Sequence, residues 1–221
     1  AELAMLRERQ RFNESMLRNS GRPEAGVVKA DSQAAAKAGE HELAADLLVA
    51  LERITPGSDH ASSICYHYSM AGRDRASHEW AAIAHRRRPT AVTAHNLACG
   101  ERDAATKERL LREALDRDPD FTVSAATLAK MIEGRSPAEA RQLRDGIVAV
   151  LEPDMRASDT DLNELRRLRD AARSTGRASI ADRATDEIER REREVATRDA
   201  VFREENLAQG RDSGRLLGRE R

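Results

Sequence analysis

Residues 39–56 read GEHELAADLLVALERITP, an amphipathic segment bracketed by a glycine and a proline. Leu43, Leu47, Leu48, Leu51 and Ile54 recur at helical spacing and form one apolar stripe. Glycine takes the positive φ that ends a preceding helix. Proline cannot donate the next backbone hydrogen bond, so it stops the following one. The bracket returns three times downstream, as GRDRASHEWAAIAHRRRP (72–89), GERDAATKERLLREALDRDP (100–119) and GRSPAEARQLRDGIVAVLEP (134–153). Pro56, Pro89, Pro119 and Pro153 are 33, 30 and 34 residues apart, and Gly39, Gly72, Gly100 and Gly134 lie 17, 17, 19 and 19 residues upstream of them. Each glycine-to-proline segment predicts a helix of about four turns, and each proline-to-glycine segment predicts a shorter one. The unit is helix A, glycine turn, helix B, proline turn, and a period near 34 marks a repeat architecture.

The composition agrees with an all-helical chain. Of 221 residues, 39 % are hydrophobic and 35 % charged, but only 3 % are aromatic, which argues against a sandwich or barrel. The net charge is −1, so nothing draws the whole surface to nucleic acid or to anionic membranes. Lys29, Lys37, Lys107 and Lys130 are the lysines; the other 34 of the 38 basic residues are arginine. Cys65 and Cys99 have no metal or disulfide spacing and read as thiols of a reducing cytoplasm. No apolar run reaches the roughly 20 residues of a membrane span.

In this arrangement the chain resembles the tetratricopeptide repeat (TPR) family. In the first unit (25–58), Gly39, Ala44 and Pro56 match the family's turn glycine, small helix-B residue and closing proline. The second unit, Ser58 to Pro89, matches with Tyr68, Gly72, Ala84 and Pro89, and the third with Ala114, Leu115 and Pro119. The fourth matches with Leu128 and Pro153, its turn lengthened around Gly134 and Pro137. The large aromatics usual in the family are mostly missing. The resemblance covers roughly Pro23 to Pro153. It implies an all-α, right-handed superhelical solenoid of helix-turn-helix hairpins with terminal capping helices.

The ends extend the pattern. Residues 1–20 predict a capping or linker helix running from Glu2 to about Arg18, with Leu3, Leu6, Met16 and Leu17 apolar and Gly21-Arg22-Pro23 closing it. Residues 23–153 hold four hairpins. Residues 157–208 hold a degenerate fifth one, with Asp159 or Thr160 as N-cap, Leu162, Leu165 and Leu168 as its stripe and Gly176 at its turn. A long helix follows from Ala178 to about Ala208, with Asp186–Arg190, Glu187–Arg191 and Glu189–Arg193 as i, i+4 ion pairs. Residues 209–221 read as a flexible tail.

Signatures of catalysis are missing. The sequence has no GxxxxGK[ST], GxGxxG, HExxH or CxxC. His60 with His67 and His78 with His85 are seven apart, so each pair could share a helix face, but a zinc site needs three or four convergent ligands. Cys65 and Cys99 lie near His67 and His95 in sequence without a marked orienting group. The run HRRRPT (85–90) reads as the basic last turn of a helix. No catalytic residue, metal ligand or cofactor is expected.

Function is implied by the resemblance. The A helices of TPR-like proteins line a groove, which here would present Lys29, Gln33, Ser62, Tyr66, Ser69, Asn96 and Lys130 to a protein or peptide partner. Only Lys29 and Asn96 approach the lysine and asparagine set with which some family members clamp a chaperone's C-terminal carboxylate. The expected function is a non-catalytic scaffold or adaptor; the alternative is an accessory helical domain of a larger enzyme, chaperone or regulator. Residues two apart on a helix differ by about 200° in direction. Tyr68, on the family's core position, should therefore pack inside, and Tyr66 should face outward.

Overall fold

The computed structural model describes residues 2–18, 24–56 and 58–217, with side chains for 4–12, 24–56 and 58–202. Among the described residues there is no strand, and the helices follow in the order α1 (Glu2–Arg18), α2 (Ala25–Lys37), α3 (His41–Ile54), α4 (Ala61–Met70), α5 (Asp74–Arg87), α6 (Ala91–Gly100), α7 (Ala104–Arg117), α8 (Thr122–Ile132), α9 (Pro137–Leu151), α10 (Leu162–Thr175) and α11 (Ala178–Leu217). In chain order they follow the alternation of A and B helices of the TPR-like fold behind α1, and α2 packs on α3, α4 on α5, α6 on α7 and α10 on α11. Two compact units divide the chain, Ala1–Ser124 and Ala125–Arg221, with the boundary inside α8.

Every closing proline sits just beyond a B helix. Pro56, Pro89, Pro119 and Pro153 each lie two residues past the last residue of α3, α5, α7 and α9. Gly39 and Gly72 have φ of 77° and 70°. Behind Gly39 the Glu40 N–H donates to the Ala35 carbonyl (2.9 Å) and the Gly39 N–H to that of Ala36 (3.1 Å), so a left-handed residue satisfies the end of α2. Arg73 and Gly72 do the same for α4.

The third and fourth turns differ from the expected glycine turn. Gly100 has no positive φ; it is the last residue of α6. A Cβ there would lie 2.4 Å from His78 Nδ1 and 2.8 Å from His78 Cβ, so close approach of α5 demands the glycine. The turn itself is closed by acids. The Glu101 carboxylate accepts from the N–H groups of Arg102 (2.8 Å) and Asp103 (3.0 Å), and Asp103 caps α7 through the Thr106 N–H at 2.7 Å. Gly134 also lacks positive φ; there the Ser136 N–H reaches back to the Ile132 carbonyl (2.8 Å). The α6–α7 connection has three residues, like the first two, and the α8–α9 connection has four, so the two extra residues between glycine and proline do not lie in the turns.

In the first unit the core collects Val28 and Ala35 from α2, Leu43, Ala44, Leu47 and Leu51 from α3, Ile64 from α4, and Leu6 from α1. Ala44 and Leu47 are wholly buried, and truncating a leucine at such a site costs about 2–5 kcal/mol. Phe121 packs on Ala91, Ala94 and Ala114, where α6 meets α7. In the second unit Ile147, Val148 and Leu151 of α9, Leu165, Leu168 and Ala172 of α10, and Ala181, Ala184 and Ile188 of α11 are buried.

The C-terminal region brings three corrections. The N-cap of α10 is Asp161, which forms a capping box with Glu164, and not Asp159 or Thr160. Thr160 is buried instead, donating to the Asp154 carbonyl at 2.6 Å. Arg190 pairs with Glu187 and Glu194 and not with Asp186, whereas Glu187–Arg191 (2.7 Å) and Glu189–Arg193 (3.5 Å) form as expected. Finally, α11 continues past Ala208 to Leu217, through most of the segment read as a flexible tail. No proline follows Pro153, and a glycine weakens a helix by only about 1 kcal/mol without stopping it. Gly21-Arg22-Pro23 and residues 218–221 lie outside the described residues.

Arg191 anchors the long α9–α10 connection. It donates to the carbonyls of Ala157 (2.7 Å) and Thr160 and is held in turn by Glu187. Hydrogen bonds from Arg190, and further ones from Arg191, outweigh the cost of burial and push the Glu187 carboxyl down to about 2.

Two predictions follow from this packing. Gly100→Ala should destabilise the chain by about 1–3 kcal/mol; His78→Ala, which keeps the Cβ 2.8 Å away, should recover only part of that loss, and His78→Gly most of it; chemical denaturation of the single and double variants checks it. For Glu187 the folded carboxyl titrates below its ordinary value of 4.5, so its contribution is present above that pH and is lost as pH falls towards 2. Glu187→Gln should therefore lower stability at neutral pH and flatten its decline between about pH 4.5 and 2, measured by urea unfolding across that range.

Candidate functional site

Helices α4 and α6 are the A helices of consecutive hairpins, and Tyr66 and Asn96 are each the sixth residue of theirs. A cleft of about 900 Å³ lies along these helices and the start of α5. Tyr66, Ser69 and Asn96 line it together with Cys65, Ser77, His78 and Cys99, and Arg75 and Arg102 stand among its charged residues. Tyr66 is 54 % exposed. No hydrogen bond engages the Tyr66 hydroxyl, the Ser69 hydroxyl or the Asn96 amide among the described residues.

Tyr68 behaves oppositely, as the 200° offset requires. It packs against the first unit's core and donates its hydroxyl to Asp46 Oδ1 at 2.8 Å. Burial first, then this hydrogen bond, pushes the phenol up.

The remaining expected site residues are dispersed. Lys29 and Gln33 are exposed on α2, and Ser62 is half-buried on α4; none lines the cleft. Gln33 precedes Gly39 by six residues, as Tyr66 precedes Gly72, so the two occupy equivalent repeat positions. Lys130 is exposed on α8 and belongs to the second unit.

Two arrangements escaped the sequence. His41, the first residue of α3, points its Nδ1 at His67 Nδ1 of α4 (3.1 Å), and Tyr66 stands edge-on to both rings. One proton fits between the two facing nitrogens, so one ring donates and the other accepts. Burial, and then His41, lower the His67 pKa. The seven-residue pairings do not form. His60 precedes α4 and gives its N–H to Glu52, while His85 lies against Thr93 (3.2 Å) and Glu113 (3.3 Å). No signal within one helix could reveal the His41–His67 pair, because it joins two hairpins.

The second arrangement centres on His95, a buried residue whose Nδ1 lies 3.0 Å from Ser124 Oγ and Nε2 3.3 Å from Cys99 Sγ. This is an oriented imidazole beside a thiol. Burial nevertheless pushes the Cys99 thiol up, outweighing Lys107, and burial likewise raises Cys65 above any lowering by Ser77. A protonated thiol is a poor nucleophile. Both cysteines are free, and no group of three or more histidine, cysteine or acidic side chains suited to a metal occurs among the described residues.

The basic run is absorbed by the structure. Arg87 donates to the buried Glu52 (2.9 Å), which also receives the His60 N–H (3.0 Å), and Arg88 reaches Asp59 (3.4 Å). Those charges join neighbouring hairpins.

No protein-family model matches the chain, and no curated protein sequence matches it. Solved structures do share its architecture. The Desulfovibrio magneticus RS-1 protein MamA, from residue 41 to its end, superimposes with a TM-score of 0.53 at 12 % identity, over 77 % of this chain and 96 % of that one. BtubC (BKLC) from P. vanneervenii gives 0.53 at 14 % identity, over 86 % and 87 %. The TPR-like repeats of a Podosopora anserina kinesin light chain give 0.50 at 16 % identity, over 74 % and 92 %. The chain is thus an all-α helical-repeat protein of the TPR-like fold. Among the described residues no helix is long and apolar enough to cross a membrane.

Proposed function

We propose that this protein is a non-catalytic interaction scaffold that holds an extended segment of a partner protein in the α4–α6 cleft. The supporting observation is the set of hydrogen-bonding groups there, at Tyr66, Ser69 and Asn96, left without a protein partner among the described residues on a half-open surface. A peptide main chain supplies donors and acceptors at intervals an amide, a hydroxyl and a phenol can meet. Tyr66 adds a rigid ring, backed by His41 and His67, whose burial against a partner carries binding energy at little entropic cost. Gln33 continues the row on α2, with Lys29 and Ser62 at its edge, and Lys130 offers a separate contact in the second unit. The chain works in the cytoplasm, where Cys65 and Cys99 remain thiols.

The test is selection of phage-displayed peptides on the full chain. Selected peptides should bind Tyr66→Ala about tenfold or more weakly, with the melting temperature nearly unchanged. Tyr68→Ala should instead cost about 2–4 kcal/mol of stability, with affinity per folded molecule retained. Peptides that bind wild type and Tyr66→Ala alike would refute the cleft assignment.

A further inference from the structure

In the second unit the core-facing stripe of α11 carries Ala181, Ala184 and Ile188, all buried. Seven and fourteen residues beyond Ile188, the same face carries Val195 and Phe202. There the surroundings change: Val195 is 41 % exposed and Phe202 64 %. The cause is the length of the neighbouring helix. α10 begins at Leu162, and its Arg166 already reaches Glu192 at 2.8 Å, so beyond about Val195 no part of α10 is left to cover α11. A cavity of about 560 Å³ marks this point, lined by Leu162, Arg166, Val195, Ala196, Asp199 and Ala200. From Val195 to Leu217 the helix runs on for about 33 Å. Most helical stability in proteins comes from packing an apolar face, and the exposed Val195 and Phe202 leave that of α11 open to a partner.

Charge indicates which partner. From Glu187 to Glu194 the charges of this helix are engaged: Glu187 with Arg191, Glu189 with Arg193, Arg190 with Glu194, Glu192 with Arg166. Arg198 and Asp199, which flank the stripe between Val195 and Phe202, have no ion pair among the described residues. We propose that this overhang is where two copies of the chain dimerise, with the α11 helices antiparallel about a two-fold axis between Arg198 and Asp199. Val195 then stands level with Phe202 of the second copy, Ala196 with its Val201, and Arg198 with its Asp199. A parallel pairing in the same register sets Arg198 against Arg198 and Asp199 against Asp199, so electrostatics select the antiparallel one. Such a contact uses one patch twice and closes on itself.

Sedimentation velocity of the full chain from about 1 μM to about 1 mM tests this. Wild type should show a monomer–dimer equilibrium, and Phe202→Asp should remain monomeric with unchanged helix content by circular dichroism. Arg198→Asp and Asp199→Arg should each weaken the dimer by about tenfold, and the double variant R198D/D199R should restore it. Wild type that stays monomeric throughout overturns the proposal. So does a dimer indifferent to Phe202→Asp, which would place the contact elsewhere, such as the exposed Met5 and Phe12 of α1. A double variant no better than the single ones overturns the antiparallel register.

Discussion

Close approach of helices through alanine is the constraint on which the rest of the structure depends. Ala35 on α2, Ala44 on α3, Ala81 and Ala84 on α5, Ala94 and Ala98 on α6 and Ala114 on α7 are nearly or wholly buried. A methyl group lets two helix axes approach the lower end of the usual 8–10 Å range. The same choice limits how much apolar area one hairpin can bury, because alanine brings little of its own. Leucine and isoleucine on the outer faces of the hairpin must therefore pack on the next hairpin. This explains how a chain with 3 % aromatic residues still builds a continuous core within each unit.

The arginines then set register. Arg73 meets Glu42, Arg87 meets Glu52 and Arg88 meets Asp59 in the first unit; Arg177 meets Asp145 and Arg183 meets Glu152 in the second. Their separations of 31, 35, 29, 32 and 31 residues are all close to one repeat. Most of these pairs are exposed and are worth about 0–1 kcal/mol each. The Glu52 carboxylate differs because it is buried, so loss of Arg87 would strand a desolvated charge. An arginine fork fixes both distance and direction, which suits a joint between stacked units better than lysine does.

The architecture was legible because it is written in short-range terms: a proline two residues past each of α3, α5, α7 and α9, and a stripe of leucines within α3. What escaped was set by contacts between hairpins. Gly100 looks like a turn glycine in the sequence, yet its cause is His78 on another helix. His41 and His67 are 26 residues apart and meet only when α3 packs on α4. The site was legible to the extent that it obeyed helix geometry. The offset between Tyr66 and Tyr68 separates the exposed ring from the core ring, and the repeat places Asn96 level with Tyr66. Lys29, Ser62 and Lys130 depended on register carried across turns of unequal length, and the cleft does not include them.

Helices α1 and α11 pack on their neighbours in different ways. At the N-terminus, α1 covers α2 and α3 with one buried apolar side chain, Leu6, and with Arg9, which holds the buried Asp31 at 3.0 Å. Burial pushes the Asp31 carboxyl up more than Arg9 lowers it, so the charged form is carried at a cost. Such a pair adds little net stability, because desolvation consumes most of the Coulombic gain. Its value lies in exclusion: a slip of α1 by one residue would remove Arg9 and leave a buried carboxylate unpaired. The docking of α1 is thus specified by electrostatics and only lightly held by apolar burial. In the second unit α11 instead carries Val195 and Phe202, both exposed, past the start of α10, so its apolar stripe outruns the helix that packs on it.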